Sequence, residues 1–332
     1  AFWHLWAEDY WYPKGGYQLW FDCWAEALEK RGVCFIYKNA VVGFEKKASR
    51  ATAVLTKKGH RYVADQIVYA GDYKRAVYDL IGAERFDKTT IAKLEAAKHS
   101  DPLISVYLGL NMPASILKEY VHSSHIFYFP NNECRTEIDL SDVLAHKNAF
   151  LEVTAHCIDD ATLAPEGKSA VVLQAFTRGE WLNFWKSSSD NSVRNADYKD
   201  LKKQVGEELI TIFEGIIPDV RKYIEYVDVG SPISAIRFTK NELGGSCGFE
   251  LNWRNFPFLN PLSQSKTPLK NVHMAGHFTV WPGAVPTAAL SGKIASLRAH
   301  RQLKRKIFSK SIESLSALQR PRLEPSNEQA IL

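Results

Sequence analysis

Two rhythms of apolar and polar positions run along this chain, one helical and one alternating. Gln18 to Arg31 (QLWFDCWAEALEKR) places Leu19, Cys23, Ala27 and Leu28 at helical spacing, with Gly32 positioned as the C-cap. Val33 to Tyr37 (VCFIY) predicts a short strand, and AVVGFEK from Ala40 resumes extended structure. In ATAVLTKKGHRYVADQIVYAG two β-rich runs flank Lys57-Lys58-Gly59-His60, which predicts a hairpin and then a strand ending at Gly71. Asp72 is placed to N-cap a helix through Leu80. Between about Thr89 and Phe184, LISVYLGL, HIFYF, FLEVTAH and SAVVLQAF read as strands of a second sheet layered against helices. Asn195 to Ile217 is a long amphipathic helix stopped by Pro218. VHMA (Val272 to Ala275) is a short apolar strand, Gly276 to Pro286 a turn, and a helix follows from about Thr287 toward Ser309. The pattern is a mixed α/β chain without internal repeats. Its last residues, 311–332, are polar with Pro and read as a disordered tail.

Composition narrows the classes. With 45% hydrophobic residues over 332 positions the chain can build a sizeable core. Nine Trp within an aromatic share of 12% suit a bulky core or a pocket for a large apolar molecule. A net charge of +5 is too small to argue for nucleic acid, and none is expected as a partner. The basic excess is local: Arg298, Arg301, Lys304, Arg305, Lys306 and Lys310 crowd 298–310, a solvated helix face or a contact with anionic lipid. Five Cys without a Cys-x-x-Cys argue against a disulfide framework or zinc site and for a reducing compartment. Cys23, Cys34 and Cys247 read as small buried hydrophobes. The dispersed His99, His122, His125 and His146 lack ligands at tight spacing, so no metal is expected. No apolar run reaches the roughly 18 residues of a membrane span, and the expected location is cytoplasmic, at most peripheral to a membrane.

The segment with the most chemical content is Asn271 to Ser296 (NVHMAGHFTVWPGAVPTAALSGKIAS). A strand delivers the chain to Gly276, and Pro282-Gly283-Ala284-Val285-Pro286 turns it into a helix of small residues. Glycine permits close backbone approach, and a helix N-terminus offers unpaired N–H groups that stabilise negative charge. A tight structural turn that binds nothing has the same pattern.

This segment resembles the C-terminal FAD-binding motif of phytoene desaturases, carotenoid isomerases and related amine-oxidase-like flavoenzymes. The family's Ala-Gly-Asp reads here as Ala275-Gly276-His277, its Gly-rich turn as Pro282-Gly283-Ala284-Val285, and its Ser-Gly as Ser291-Gly292. Tyr12-Pro13-Lys14-Gly15-Gly16 is similar to the family's Tyr-Pro-x-Gly-Gly, and Val41 falls on a Val of the adenine side. LAPEGKSAVVL and SPISAIRFTKNELGGSCG resemble further family stretches, so the likeness runs from about Tyr10 to Arg298. It implies an incomplete FAD/NAD(P)-binding amine-oxidase-like fold with a mixed-sheet substrate domain. It also implies FAD contacts at Val41, Gly276, His277, Pro282, Gly283, Ala284 and Val285, and substrate contacts at Tyr12, Lys14, Gly15 and Gly16. The expected division is a cofactor domain of 1–84 and 265–310 around a substrate domain of 85–264. The implied function is FAD-dependent desaturation, isomerisation or saturation of an apolar polyene. Alternatives are a catalytically inactive remnant that acts as a binding module, or an amine oxidase.

Two departures stand out. The strand–Gly-x-Gly-x-x-Gly–helix unit that holds the ADP half of the cofactor is absent from these residues, which implies weak flavin binding by this chain alone. Leu243-Gly244-Gly245-Ser246-Cys247-Gly248 lacks the first glycine and reads as a loop. His277 stands where the family carries Asp or an amide, and imidazole cannot supply a fixed negative charge.

Overall fold

A computed structural model describes residues 12–130, 151–177, 185, 195–250 and 265–318, with side chains to residue 307. In chain order the elements are α1 (Gly16–Glu29), β1 (Val41–Lys47), β2 (Arg50–Thr56), β3 (Arg61–Val63), β4 (Ile67–Tyr69) and α2 (Tyr73–Arg75). Next come α3 (Lys88–Ala96), β5 (Leu103–Leu110), α4 (Ala114–Val121), β6 (His125–Tyr128), β7 (Leu151–Thr154) and β8 (Ser169–Phe176). The last are α5 (Ala196–Phe213), β9 (Ile224–Gly230), α6 (Pro232–Thr239), β10 (Val272–Met274) and α7 (Val285–Leu318).

The chain divides into two compact units. The first joins Ala1–Asn39 to Ala96–Asn252, and the second joins Ala40–Glu95 to Trp253–Leu332. In this division residues 12–39 group with the middle of the chain. The reason is local: the Gly15 N–H donates to Asp160 Oδ2 at 2.6 Å, and the ring of Tyr12 stacks on His156 at 3.6 Å.

The first unit is built on an antiparallel five-stranded sheet ordered β6-β7-β8-β5-β9. Alternation decides its buried face: Ser169, Val171, Leu173 and Ala175 of β8 point inward while their neighbours are more exposed. Leu201, Val205 and Leu209 of α5 pack into the same core as Ile104, Val106 and Leu173. Asn195 starts α5 by accepting the Tyr198 N–H on Oδ1 at 2.8 Å, and Ser231 caps α6 just before Pro232.

The second unit holds an antiparallel meander, β1-β2-β3, and a parallel pair, β10-β4. The fully buried Asn271 fastens the two: its Oδ1 accepts from the Ala51 N–H at 2.9 Å, and its Nδ2 donates to the carbonyls of Ala51 (2.7 Å) and Asp65 (3.1 Å).

Several expectations need correction. Val33–Tyr37 is not a strand: its β-rich residues find no ladder and are mostly exposed. The helix capped by Asp72 passes after one turn into a π-helical stretch, Ala76–Ile81. The last helix does not give way to a tail at 311 but runs on to Leu318, while 319–332 lie outside the described residues. Cys23, Cys34 and Cys247 are exposed, because α1 buries only Gly16 and Cys247 sits on a surface loop. Cys134 and His146 lie outside the described residues. Leu243–Gly248 is a loop tied back by the Ser100 N–H donating to the Gly248 carbonyl at 2.8 Å.

Candidate functional site

The residues singled out for the cofactor share the second unit. Strand β10 ends at Met274, and the Ala275 N–H still donates to the Tyr69 carbonyl of β4 at 2.8 Å. Gly276 then takes φ +90°, and a Cβ there would stand 3.1 Å from the Ala70 carbonyl oxygen. Only glycine meets both conditions without strain, so this turn holds two backbones close together. The Gly276 N–H is satisfied by Ser291 Oγ at 2.7 Å, and that buried hydroxyl donates in turn to the Ala288 carbonyl at 2.6 Å. The Ser of the Ser-Gly pair thus locks α7 onto the end of β10.

The turn that opens α7 is tightly wound. Val280, Gly283 and Ala284 all have positive φ, at 62°, 78° and 62°. Two of the three carry a Cβ, one of them β-branched, which stores strain at this corner. Thr287 Oγ1 reaches the Gly283 carbonyl, and also that of Ala284 at 3.0 Å. Gly283 is buried, Ala284 exposed, and Pro282 and Val285 intermediate. His277 is half-buried with its ring edge-on to Phe278 at 4.6 Å. Val41 opens β1 and accepts a hydrogen bond on its carbonyl from Arg75 Nη2 at 3.0 Å, while Asp72 Oδ1 accepts the Arg75 N–H at 2.9 Å. The link from Val41 through Arg75 and Asp72 runs back toward the Ala70 backbone that meets Gly276. Sequence reasoning named Asp72 only as a cap and missed Arg75, since a hydrogen bond to a backbone carbonyl leaves no motif.

The residues singled out for substrate lie in the first unit. Tyr12, Pro13 and Lys14 line a cavity of about 400 Å³ together with Ser124, His156, Asp159 and Asp160. Tyr12 also meets Tyr17 edge-on at 5.3 Å. Gly15 and Gly16 do not line it; their N–H groups bond to Asp160 and to the Pro13 carbonyl (2.8 Å) and so shape the turn into α1. Asp160 also accepts from the Thr162 N–H and hydroxyl. The Gly15 N–H foremost, then the Thr162 donors, hold its carboxyl below the usual Asp value. Burial pushes the Tyr12 phenol up. It pulls His156 below the ordinary imidazole value, helped by the charge of His125 and opposed by Asp159. Sequence reasoning missed Ser124, His156 and the acidic pair; the adjacent Asp159-Asp160 was the one visible signal.

Among the described residues no group of three His, Cys, Asp or Glu side chains could hold a metal ion. His125 pairs with Glu152 at 2.8 Å, and the buried His99 lies 3.3 Å from Glu242. Of the basic stretch, Arg298 reaches Ser265 Oγ and Lys306 pairs with Asp65, so part of its charge is engaged within the second unit. No helix among the described residues is long and apolar enough to cross a membrane.

The sequence profile described as flavin containing amine oxidoreductase matches residues 6–299. The chain belongs to this family. It is 26% identical over 317 residues to the all-trans-retinol 13,14-reductase of Danio rerio, covering 90% of this chain and 51% of that protein. It is 22% identical over 313 residues to the phytoene desaturase of Phycomyces blakesleeanus, covering 87% and 48%. The chain thus spans about half the length of these curated relatives. Its fold is similar to that of a Methanosarcina mazei oxidoreductase, with a TM-score of 0.51 at 13% identity over 84% of this chain and 53% of the other. It is also similar to putrescine oxidase bound to putrescine, with a TM-score of 0.50 at 15% identity over 85% and 52%. The amine-oxidase-like α/β architecture expected from the sequence is the architecture found.

Proposed function

We propose that this chain provides the flavin-ring and substrate side of an FAD-dependent oxidoreductase acting on an apolar polyene. One observation carries the reading: the β10–turn–α7 corner, where Gly276 meets the Ala70 backbone and Ser291 locks the helix in place. A Cβ at Gly276 would close that approach, and buried Gly283 at positive φ leaves the helix opening free of side chain. These features fit a flat ring system lying against backbone. Gly276, His277 and Pro282–Val285 would hold it, and Val41 would serve the adenine side. FAD, when bound, supplies the two-electron chemistry, while the protein supplies position and electrostatics. The chain's own contribution is a rigid corner whose helix N-terminus favours negative charge. Half-buried His277 can donate a hydrogen bond there.

The polyene reading is supported by the two relatives, whose names concern all-trans-retinol and phytoene. Tyr12 and Lys14 would line the substrate side in the cavity beside His156. The exposed basic residues of α7 would meet anionic lipid, where an insoluble polyene resides. The segments 40–95 and 265–310 would serve the cofactor, and 96–250 the substrate. An amine oxidase on the same fold is the second reading, supported by the family description. The deciding experiment joins this chain to a family dinucleotide-binding half and assays the flavin-loaded product with all-trans-retinol, phytoene and putrescine. Turnover of a polyene supports the proposal; turnover of putrescine alone replaces it with the second reading.

A further inference from the structure

Among the described residues β9 is an edge of its sheet, and one part of its core-facing side is left uncovered. Val227 and Val229 lie two residues apart and so share the face against which α5 packs. Val229 is 8% exposed, yet Val227 is 43% exposed. Gly206 seats the helix on Val229: a Cβ there would stand 2.6 Å from Val229 Cγ2. Glycine inside a helix is unfavourable, and here it permits an approach that no other residue allows. Beside that contact a groove of about 340 Å³ runs between α5 and β9, with Gly206, Val227 and Val229 as its apolar wall. Small-molecule sites span roughly 300–1,000 Å³, so the groove has room for a ligand.

The charges around this wall do not balance. Of the two carboxylates that line the groove, Glu207 is engaged by Arg221 at 2.6 Å and Asp228 by Lys202 at 3.7 Å. Lys199 and Lys203 line it too and have no ion pair among the described residues. They stand four residues apart on one helix face, where like charges repel each other. Lys199 also closes the first turn of α5, where the helix dipole disfavours a cation. Asp197 and Asp200, the carboxylates nearest in sequence, do not line the groove. Carbon surface open to water beneath two uncompensated cations suits a ligand with an apolar body and an anionic head. We infer that the α5–β9 groove binds a fatty-acid-like anion, an alkyl chain ending in one anionic head. Lys199 and Lys203 meet the head, and Val227 lies under the chain. None of the lining residues belongs to the cavity beside His156 or to the β10–turn–α7 corner, so the inference does not rest on the proposed reaction.

The test titrates decanoate, below its micelle-forming concentration, into the full 332-residue chain. Binding is followed by calorimetry and by amide shifts in nuclear magnetic resonance. The expected result is saturable one-to-one binding that shifts the Gly206, Val227 and Asp228 amides. Decanol, which keeps the chain, and acetate, which keeps the head, bind at least about tenfold more weakly. Replacing Lys199 and Lys203 together by Gln weakens decanoate binding about tenfold or more, and Val227→Ser weakens it several-fold. Lys118→Gln, on α4, leaves it unchanged. All these positions are exposed, and matching far-ultraviolet circular dichroism confirms that the variants fold. No saturable binding, equal binding of decanol, or binding indifferent to the lysine pair overturns the proposal. So do amide shifts confined to residues outside the groove, which mark adventitious association of a detergent-like chain.

Discussion

Gly276 and Ala284 are opposite cases of one backbone requirement. Both have positive φ, yet one has the residue that tolerates it and the other does not. Gly276→Ala adds a Cβ 3.1 Å from the Ala70 oxygen as well as the left-handed strain, and should cost about 1–3 kcal/mol. Ala284→Gly relieves strain at an exposed site and should stabilise by about 1 kcal/mol. Chemical denaturation of the pair checks both signs. His156 offers a pH test. Its folded-state value is depressed, chiefly by burial, so the unfolded chain takes up a proton first as pH falls below about 6.5. Stability should therefore decline from that pH downward, as protonation intrudes on the stacked, half-buried ring. Asp160, with its lowered value, adds a further loss in the acid range as the Gly15 turn loses its acceptor. Nuclear magnetic resonance titration should place the His156 midpoint below 6.5, and Tyr12→Ala, which exposes the ring, should raise it. A midpoint at or above 6.5 contradicts the account.

At the scale of elements, local chemistry was legible and pairing was not. LISVYLGL and SAVVLQAF are strands over their full predicted lengths because period-two alternation against α5 imposes one register. Asp72 and Asn195 cap their helices because a short acceptor side chain before a helical run has few other uses. Val33–Tyr37 shows the limit, since a β-rich run becomes a strand only where a neighbour offers its backbone. The β10–turn–α7 corner was visible through its glycines, while the bonds that hold it were silent in sequence. Asn271 is the clearest of these: nothing in NVHM announces two buried hydrogen bonds to Ala51 of β2 and a part-buried one to Asp65, just before β4. Asn271→Ala should cost about 2–4 kcal/mol by leaving those backbone groups unpaired, measured by thermal or urea unfolding. Helix α7 supports a separate expectation. If its exposed basic residues meet anionic lipid, replacing Arg301, Lys304 and Arg305 by Glu should abolish pelleting with anionic vesicles, at about 1 kcal/mol per charge removed. Salt should weaken the parent's binding. Equal pelleting of both proteins, or none by either, reduces the stretch to a solvated face.

For the whole molecule, the two units present their candidate residues separately. Tyr12 and Lys14 line a cavity in the first, and Gly276, His277 and Pro282–Val285 form the corner of the second. The chain belongs to the flavin containing amine oxidoreductase family and spans about half the length of its curated relatives. The central claim is that the β10–turn–α7 corner receives the flavin ring. Flavin retained by the chain joined to a family dinucleotide-binding half, compared between the parent and Gly283→Val, tests it most directly. Val at that position places a branched side chain where buried backbone must approach the ring. The account predicts stoichiometric flavin in the parent and loss of most of it in the variant, with unchanged circular dichroism. Equal flavin content in the two proteins would contradict it.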